Sequence, residues 1–151
     1  MNETFITKKF KEHIISFFKE NFNIELISEK RVSTGIADLA GTWYNEKGEP
    51  RDEVIIEIKQ SYTDLRSNHG HNFVGTSNYL AVPTELVGEA LLYLRDTCKD
   101  FSTGVIEITK GLRVRIVKYP FVEHGADNKE LRNRIHGGIT PHISLSNFGE
   151  C

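Results

Sequence analysis

A short apolar run with two opposite charges on one side constrains this chain more than any other feature. Residues 52–61 read Asp-Glu-Val-Ile-Ile-Glu-Ile-Lys-Gln-Ser, a composition typical of a buried strand. Because side chains alternate along a strand, Glu57 and Lys59 share one face with Ile55. Charged side chains are rarely buried unless they are paired or take part in chemistry. The pattern therefore predicts either a buried ion pair or a functional site.

A second acidic residue, Asp38, lies in the preceding apolar run, residues 35–43. The polar residues 44–51 between the two runs include a glycine and a proline, which is typical of a hairpin turn. We therefore expect the Asp38 strand to pair with the strand that carries Glu57. In the right register Asp38 meets Glu57 and Lys59, and a slip of one residue would move it to the other face.

The hydrophobic patterns along the chain predict an α/β fold with a central mixed β-sheet flanked by helices. At 151 residues the chain is long enough for one domain with a real core. The fourth strand needs a crossover connection, so the sheet should contain parallel and antiparallel pairs. The predicted order is a helix over 3–21, strands over 23–33, 35–43 and 52–59, a helical segment within 62–76, a strand over 79–82, a helix over 85–97, a hairpin over 104–119, a short basic helix over 128–136 and an irregular tail over 137–151.

The arrangement of Asp38, a hairpin and Glu57-Ile58-Lys59 on a buried strand resembles the PD-(D/E)XK nuclease superfamily. The proline of the motif's name is absent, and Ala37 stands in its place. Residues 57–65 and 79–83 are similar to the small bacterial MmcB-like DNA-repair group, in which a Glu-x-Lys-x-Ser-x-x-Asp run precedes a helix and an aromatic-x-Ala-Val-Pro strand. The resemblance covers residues 1–118 and implies a single nuclease-like domain with a restriction-endonuclease-like core.

The resemblance also implies an activity and its residues. It implies a metal-dependent nuclease that hydrolyses DNA phosphodiester bonds, in DNA repair or in a mobile element, with Asp38, Glu57 and Lys59 as catalytic residues. The carboxylates are hard oxygen ligands that suit Mg²⁺ or Mn²⁺. The family adds the backbone carbonyl of Ile58 to the metal ligands, and some members add a glutamate from the first helix, which is Glu12 in this chain.

Basic residues around the site are the candidates for nucleic-acid contact, because DNA is bound mainly through its phosphates. A net charge of −2 argues against a strongly basic nucleic-acid coat over the whole surface. The chain contains no base-reading motif, so structure- or end-specific action is expected. The candidates are Arg66, His71, Arg113, Arg115, Arg132 and Arg134, with His69, Lys118 and Lys129 nearby.

Three alternatives remain open from the sequence. Glu57 and Lys59 would form a purely structural ion pair if Asp38 only stabilised a turn or capped a helix. The fold would be a catalytically inactive module if it bound nucleic acid or a protein without cutting. His69 and His71 would bind zinc if further ligands joined them, although the other histidines have no suitable spacing.

The N-terminal residues lack the apolar segment of a signal peptide, and no run approaches the length of a membrane helix. We therefore expect a cytoplasmic protein with no membrane partner. The resemblance adds the expectation of a homodimer.

Overall fold

The computed structural model of the chain describes residues 4–67, 73, 75–99 and 102–120. Within them the helices are α1 (Phe5–Phe22), α2 (Tyr62–Arg66) and α3 (Val87–Asp96), and a 3₁₀ turn over Thr84–Leu86 precedes α3. The strands are β1 (Ile27–Val32), β2 (Gly35–Tyr44), β3 (Pro50–Ile58), β4 (Ser77–Pro83), β5 (Thr103–Ile108) and β6 (Val114–Lys118). The predicted helix over 128–136 and the tail over 137–151 lie outside the described residues.

The described strands form one six-stranded sheet in the order β1-β2-β3-β4-β5-β6. The pairs β3–β4 and β4–β5 are parallel, and the other neighbours are antiparallel. The prediction of a mixed sheet flanked by helices is therefore confirmed. Among the described residues, no helix is long and apolar enough to cross a lipid bilayer.

Helices cover both faces of the sheet. The apolar stripe of α1, which includes Ile14 and Phe18, packs on the face that carries Leu39, Ile56 and Tyr79. The other face packs against α3, whose inner residues are Ala90, Tyr93 and Leu94. The central strands are consequently buried on both sides, as expected where parallel pairs lie in the middle of a sheet.

Two helix starts differ in how they are capped. The Ser61 hydroxyl accepts a hydrogen bond from the Asp64 N–H at 3.1 Å and begins α2, as a short hydroxyl at this position predicts. Thr84 directly precedes the predicted helix over 85–97, and a threonine at that position predicts a hydroxyl cap; this prediction is wrong, because the 3₁₀ turn follows Pro83 with no side-chain cap. The chain therefore tightens from β4 into α3 without a hydroxyl cap.

A glycine allows the segment after α1 to run close against β2. A Cβ atom on Gly41 would lie 2.4 Å from the Glu25 carbonyl oxygen and 3.1 Å from Leu26 Cδ2. Real Cβ atoms do not approach that closely, so this contact requires glycine. Leu26 is buried here, and the first strand begins only at Ile27 rather than at residue 23.

Among the described strands, β1 lies at an edge of the sheet; it is mostly exposed and carries charges in a row, Glu29-Lys30-Arg31. Glu29 has a left-handed backbone with φ of 53°. Because Lys30 pairs with Ala37 and Ser28 with Leu39, Glu29 stands opposite Asp38. A non-glycine residue with positive φ inside a strand is uncommon.

Candidate active site

The register of β2 and β3 brings Asp38 beside Glu57. Leu39 pairs with Ile56, and the next position along the ladder would pair Asp38 with Glu57. Side chains replace the backbone ladder there: the Asp38 N–H donates to Glu57 Oε1 at 3.3 Å, and the Ile58 N–H donates to Asp38 Oδ2 at 2.7 Å. Each carboxylate thus accepts a backbone hydrogen bond from the opposite strand, which fixes both side chains at one point of the sheet.

Lys59 follows at the carboxyl end of β3 and is 4% exposed, while Glu57 is 1% exposed. The Lys59 N–H donates to the Ala81 carbonyl at 2.9 Å, so its backbone is held by β4. Its Nζ lies 3.6 Å from Asp64 Oδ1. The structure therefore brings together the three predicted catalytic residues at one end of β3 and adds a fourth charged side chain, Asp64.

The short helix α2 positions Asp64. Ser61 caps the helix through the Asp64 N–H, and the buried Leu65 anchors it in the core on the α3 side of the sheet. Asp64 was part of the sequence run that resembles the MmcB-like group, but no function was predicted for it. Its position five residues after Lys59, just beyond a helix cap, is the signal that places its carboxylate near the ammonium.

The electrostatic environment of Asp38 has opposing components. Burial raises the pKa of the Asp38 carboxyl above its ordinary value of 3.8. The Ile58 N–H and the ammonium groups of Lys11 and Lys59 act in the opposite direction, and the carboxylate of Asp64 adds to the increase. Asp38 is thus a desolvated carboxyl with two cations near it.

Lys11 is a charged residue of this region that sequence reasoning missed. It lies on α1, is 4% exposed, and its Nζ donates to Ser28 Oγ at 2.9 Å. The sequence contains a signal for its burial, because Lys11, Ile14 and Phe18 continue one stripe of the helix at spacings of three and four residues. Lysine is rarely buried, so the residue type by itself favours an exposed side chain at this position.

Gln60 and Lys59, the two residues directly after β3, contact helices on different sides of the sheet. Gln60 Nε2 donates to Thr7 Oγ1 on α1, whereas Lys59 reaches Asp64 on α2. The end of β3 is therefore tied to a helix on each side of the sheet.

The donor atoms at this point fit a hard divalent cation. Asp38 and Glu57 offer carboxylate oxygens, and the carbonyl of Ile58 lies between Glu57 and Lys59 in the chain. Mg²⁺ keeps several waters and often takes only one or two carboxylates from a protein. Within the described part of the chain, no three His, Cys, Asp or Glu side chains gather as a metal-binding group.

Glu12 is not brought into a group with the two carboxylates in the described structure. It lies on the exposed side of α1, where its Oε2 is 3.7 Å from Lys9 Nζ. The adjacent charged residue of α1, Lys11, is buried instead. The predicted role of Glu12 as a metal ligand stays a prediction.

Arg66 is held by the two helices of the α3 face. Its guanidinium carbon lies 5.5 Å from the ring centroids of both Tyr62 and Tyr93. Its nitrogens lie 3.7 Å from Asp96 and 4.0 Å from Glu89. Arg66 therefore links α2 to α3 in addition to the nucleic-acid contact predicted for it.

The other predicted nucleic-acid residues are spread over different parts of the chain. Arg115 on β6 is largely exposed and its Nη2 is 2.8 Å from Glu107 Oε1 on β5. Arg113 is exposed in the turn before β6. Lys118 is half-buried at the end of β6. The remaining candidates, His69, His71, Lys129, Arg132 and Arg134, lie outside the described residues.

No family model, curated protein or solved structure matches this chain.

Proposed function

We propose that the chain is a metal-dependent nuclease with a restriction-endonuclease-like core, which hydrolyses phosphodiester bonds with Asp38, Glu57 and Lys59. The observation that carries the proposal is the pair of crossed hydrogen bonds between β2 and β3. They hold Asp38 and Glu57 side by side, directly before the buried Lys59. Two carboxylates and a lysine in this arrangement supply the groups that phosphodiester hydrolysis needs.

Each residue has a distinct task in the proposed reaction. Asp38 and Glu57 would hold a divalent cation, Mg²⁺ or Mn²⁺, with the Ile58 carbonyl as a further oxygen. Such a cation would supply Lewis acidity and lower the pKa of a water molecule. The Lys59 ammonium would orient the attacking water or stabilise the negative charge that develops on the phosphate. Burial strengthens this interaction, because the effective dielectric constant is lower than in water.

The choice of substrate rests on the sequence motif. The resemblance favours DNA, a role in repair or in a mobile element, and a homodimer in the cytoplasm. The described surface adds the exposed Arg113 and Arg115 on one side of the sheet as candidates for phosphate contact.

The experiment that tests the activity is cleavage of single-stranded, duplex and branched DNA in Mn²⁺. We expect the wild type to cut at least one substrate and Glu57→Gln to be inactive. Glu53→Gln is the matched control, because Glu53 lies on the same strand with an exposed side chain. Products that appear equally with Glu57→Gln, or no products at all, would exclude the nuclease proposal.

A second candidate function is a catalytically inactive module that binds nucleic acid or a protein. The Lys59–Asp64 contact favours it, because a buried lysine beside a carboxylate is also the arrangement of a purely structural ion pair. The two candidates differ in their response to Asp38→Asn. A binding module keeps its DNA affinity and shows no Mn²⁺-dependent thermal shift, whereas a nuclease loses cleavage and its metal-induced shift.

A further inference from the structure

The backbone next to the Lys59 side chain is held from two directions. The Lys59 N–H donates to the Ala81 carbonyl of β4 at 2.9 Å, and the side chain of Gln60 donates to Thr7 on α1. A lysine side chain, however, places its ammonium at the end of a flexible four-carbon stem. The position of Nζ relative to the two carboxylates of the site therefore depends on the contacts of the side chain itself.

The carboxylate of Asp64 makes such a contact with the ammonium group. Its Oδ1 lies 3.6 Å from Lys59 Nζ, and the lysine side chain is buried, whereas that of Asp64 is 48% exposed. Partial burial strengthens the attraction relative to an ion pair in open water, because the effective dielectric constant is lower. The contact therefore restrains the torsions of the lysine stem and favours one direction for the ammonium.

The helix α2, which carries Asp64, is itself held against the rest of the protein. At its start the Ser61 hydroxyl accepts the Asp64 N–H at 3.1 Å. Directly after Asp64, Leu65 is fully buried on the α3 side of the sheet. The Arg66 guanidinium then lies 3.7 Å from Asp96 on α3. Asp64 lies between this cap and these anchors, so its backbone is a fixed point from which the carboxylate orients the ammonium.

We propose that Asp64 is a positioning residue of the site, which holds the Lys59 ammonium in the orientation that the reaction uses. This role rests on the proposed function, because Asp64 acts only through Lys59 and does not touch the reacting atoms. Without the charge of Asp64 the lysine remains in place, but its ammonium takes several orientations. A displacement of about 1 Å in a reacting group can reduce a rate by about 100-fold.

Single-turnover cleavage of labelled DNA in Mn²⁺, with the protein in excess, tests the positioning role. We expect Asp64→Asn to lower the maximal rate by about 10- to 100-fold. The protein concentration that gives half of the maximal rate should stay close to that of the wild type. In the Lys59→Met background the same substitution should have no further effect, because the group that Asp64 positions is gone.

The matched control is Asp96→Asn, which removes a carboxylate of similar exposure, 52%, from an ion pair with Arg66 on the other side of α2. This variant should cleave at the wild-type rate. Equal losses from Asp64→Asn in the wild-type and Lys59→Met backgrounds would overturn the inference. A wild-type rate for Asp64→Asn would also overturn it and would show a purely structural ion pair.

Urea unfolding in EDTA tests the contact without metal and without activity. The proteins are the wild type, Asp64→Asn, Lys59→Met and the double variant. We expect Asp64→Asn to reduce the folding equilibrium constant about fivefold more in the wild-type background than in the Lys59→Met background. Additive effects would overturn the inference, and Lys59→Gln replaces Lys59→Met if that variant does not fold. A wild type that cuts no DNA would count against the proposed function, and this cycle would still decide whether Asp64 holds Lys59.

Discussion

The Ile58 N–H donates a 2.7 Å hydrogen bond to the carboxylate of Asp38, so a side chain of β2 takes the place of a backbone partner of β3. The bond fixes an acidic residue at the point where the β2–β3 ladder stops. It also means that Asp38 stabilises the sheet while it serves the site. Substitutions there have to separate these two contributions, and Asp38→Asn does so because the amide keeps an acceptor oxygen for Ile58.

The first prediction concerns pH. Burial raises the pKa of Asp38 above 3.8, so the folded protein keeps this proton to a higher pH than the unfolded chain does. The stability from this group is therefore fully present below about pH 3.8 and is lost as the pH rises through the folded-state pKa. In metal-free urea titrations, the free energy of unfolding of the wild type should fall relative to Asp38→Asn over that range. A constant difference between the two proteins would contradict the prediction.

The second prediction concerns Lys59. Lys59→Met should reduce the rate of DNA cleavage by about 100- to 1,000-fold, the usual cost of losing one group that stabilises transition-state charge. The substrate affinity measured without metal should change much less. The control is Lys47→Met, which changes an exposed lysine in the turn before β3. Equal losses in both variants would point to a general effect of charge rather than to the site.

The third prediction separates two roles of Arg66. Its guanidinium stacks on Tyr62 and Tyr93 and reaches two acidic residues of α3, a geometry that an ammonium group does not reproduce. Arg66→Lys should therefore lower the free energy of unfolding by about 1 kcal/mol. Its DNA affinity should remain close to that of the wild type, measured by fluorescence anisotropy. A large loss of affinity with unchanged stability would instead support a direct phosphate contact.

The fourth prediction concerns the close approach at Gly41. Gly41→Ala should destabilise the protein by about 1–3 kcal/mol, because the new Cβ meets the backbone oxygen of Glu25 and neither segment can yield freely. Gly88→Ala is the matched control, since a Cβ on Gly88 meets nothing within 4 Å. Because Gly88 lies in α3, alanine there should stabilise by up to about 1 kcal/mol. Urea unfolding of both variants gives the comparison, and equal effects would contradict it.

Much of the fold followed from the sequence because its signals are local. The alternation of side chains along a strand predicted that Glu57 and Lys59 share one face, and the polar residues 44–51 predicted the hairpin. The register did not follow, because it depends on an irregularity near Trp43 and Tyr44, where the pairing shifts. An extra residue at such an irregularity changes every pair beyond it, and so decides whether Asp38 meets Glu57.

The cations of the site were harder to predict for a different reason. Lys11 lies in the same helical stripe as Ile14, but lysine is so rarely buried that the pattern alone favours an exposed side chain. Its ammonium donates to Ser28 on β1, a segment that is distant from α1 in the sequence. Contacts between distant segments leave no mark in a single sequence, and the link between Gln60 and Thr7 is of the same kind.

The charged row on β1 has a consequence for association between copies of the chain. An outer strand whose unpaired amides face solvent can recruit another strand, and charged side chains with an irregular backbone are common protections against this. Strand β1 carries three consecutive charged residues, Glu29, Lys30 and Arg31. The left-handed backbone of Glu29 interrupts the regular pleat of the strand. Two copies should therefore not join β1 to β1 into a continuous sheet. In a dimer, hydrogen exchange of the β1 amides should remain as fast as in the monomer, and the two copies should contact each other through side chains outside β1.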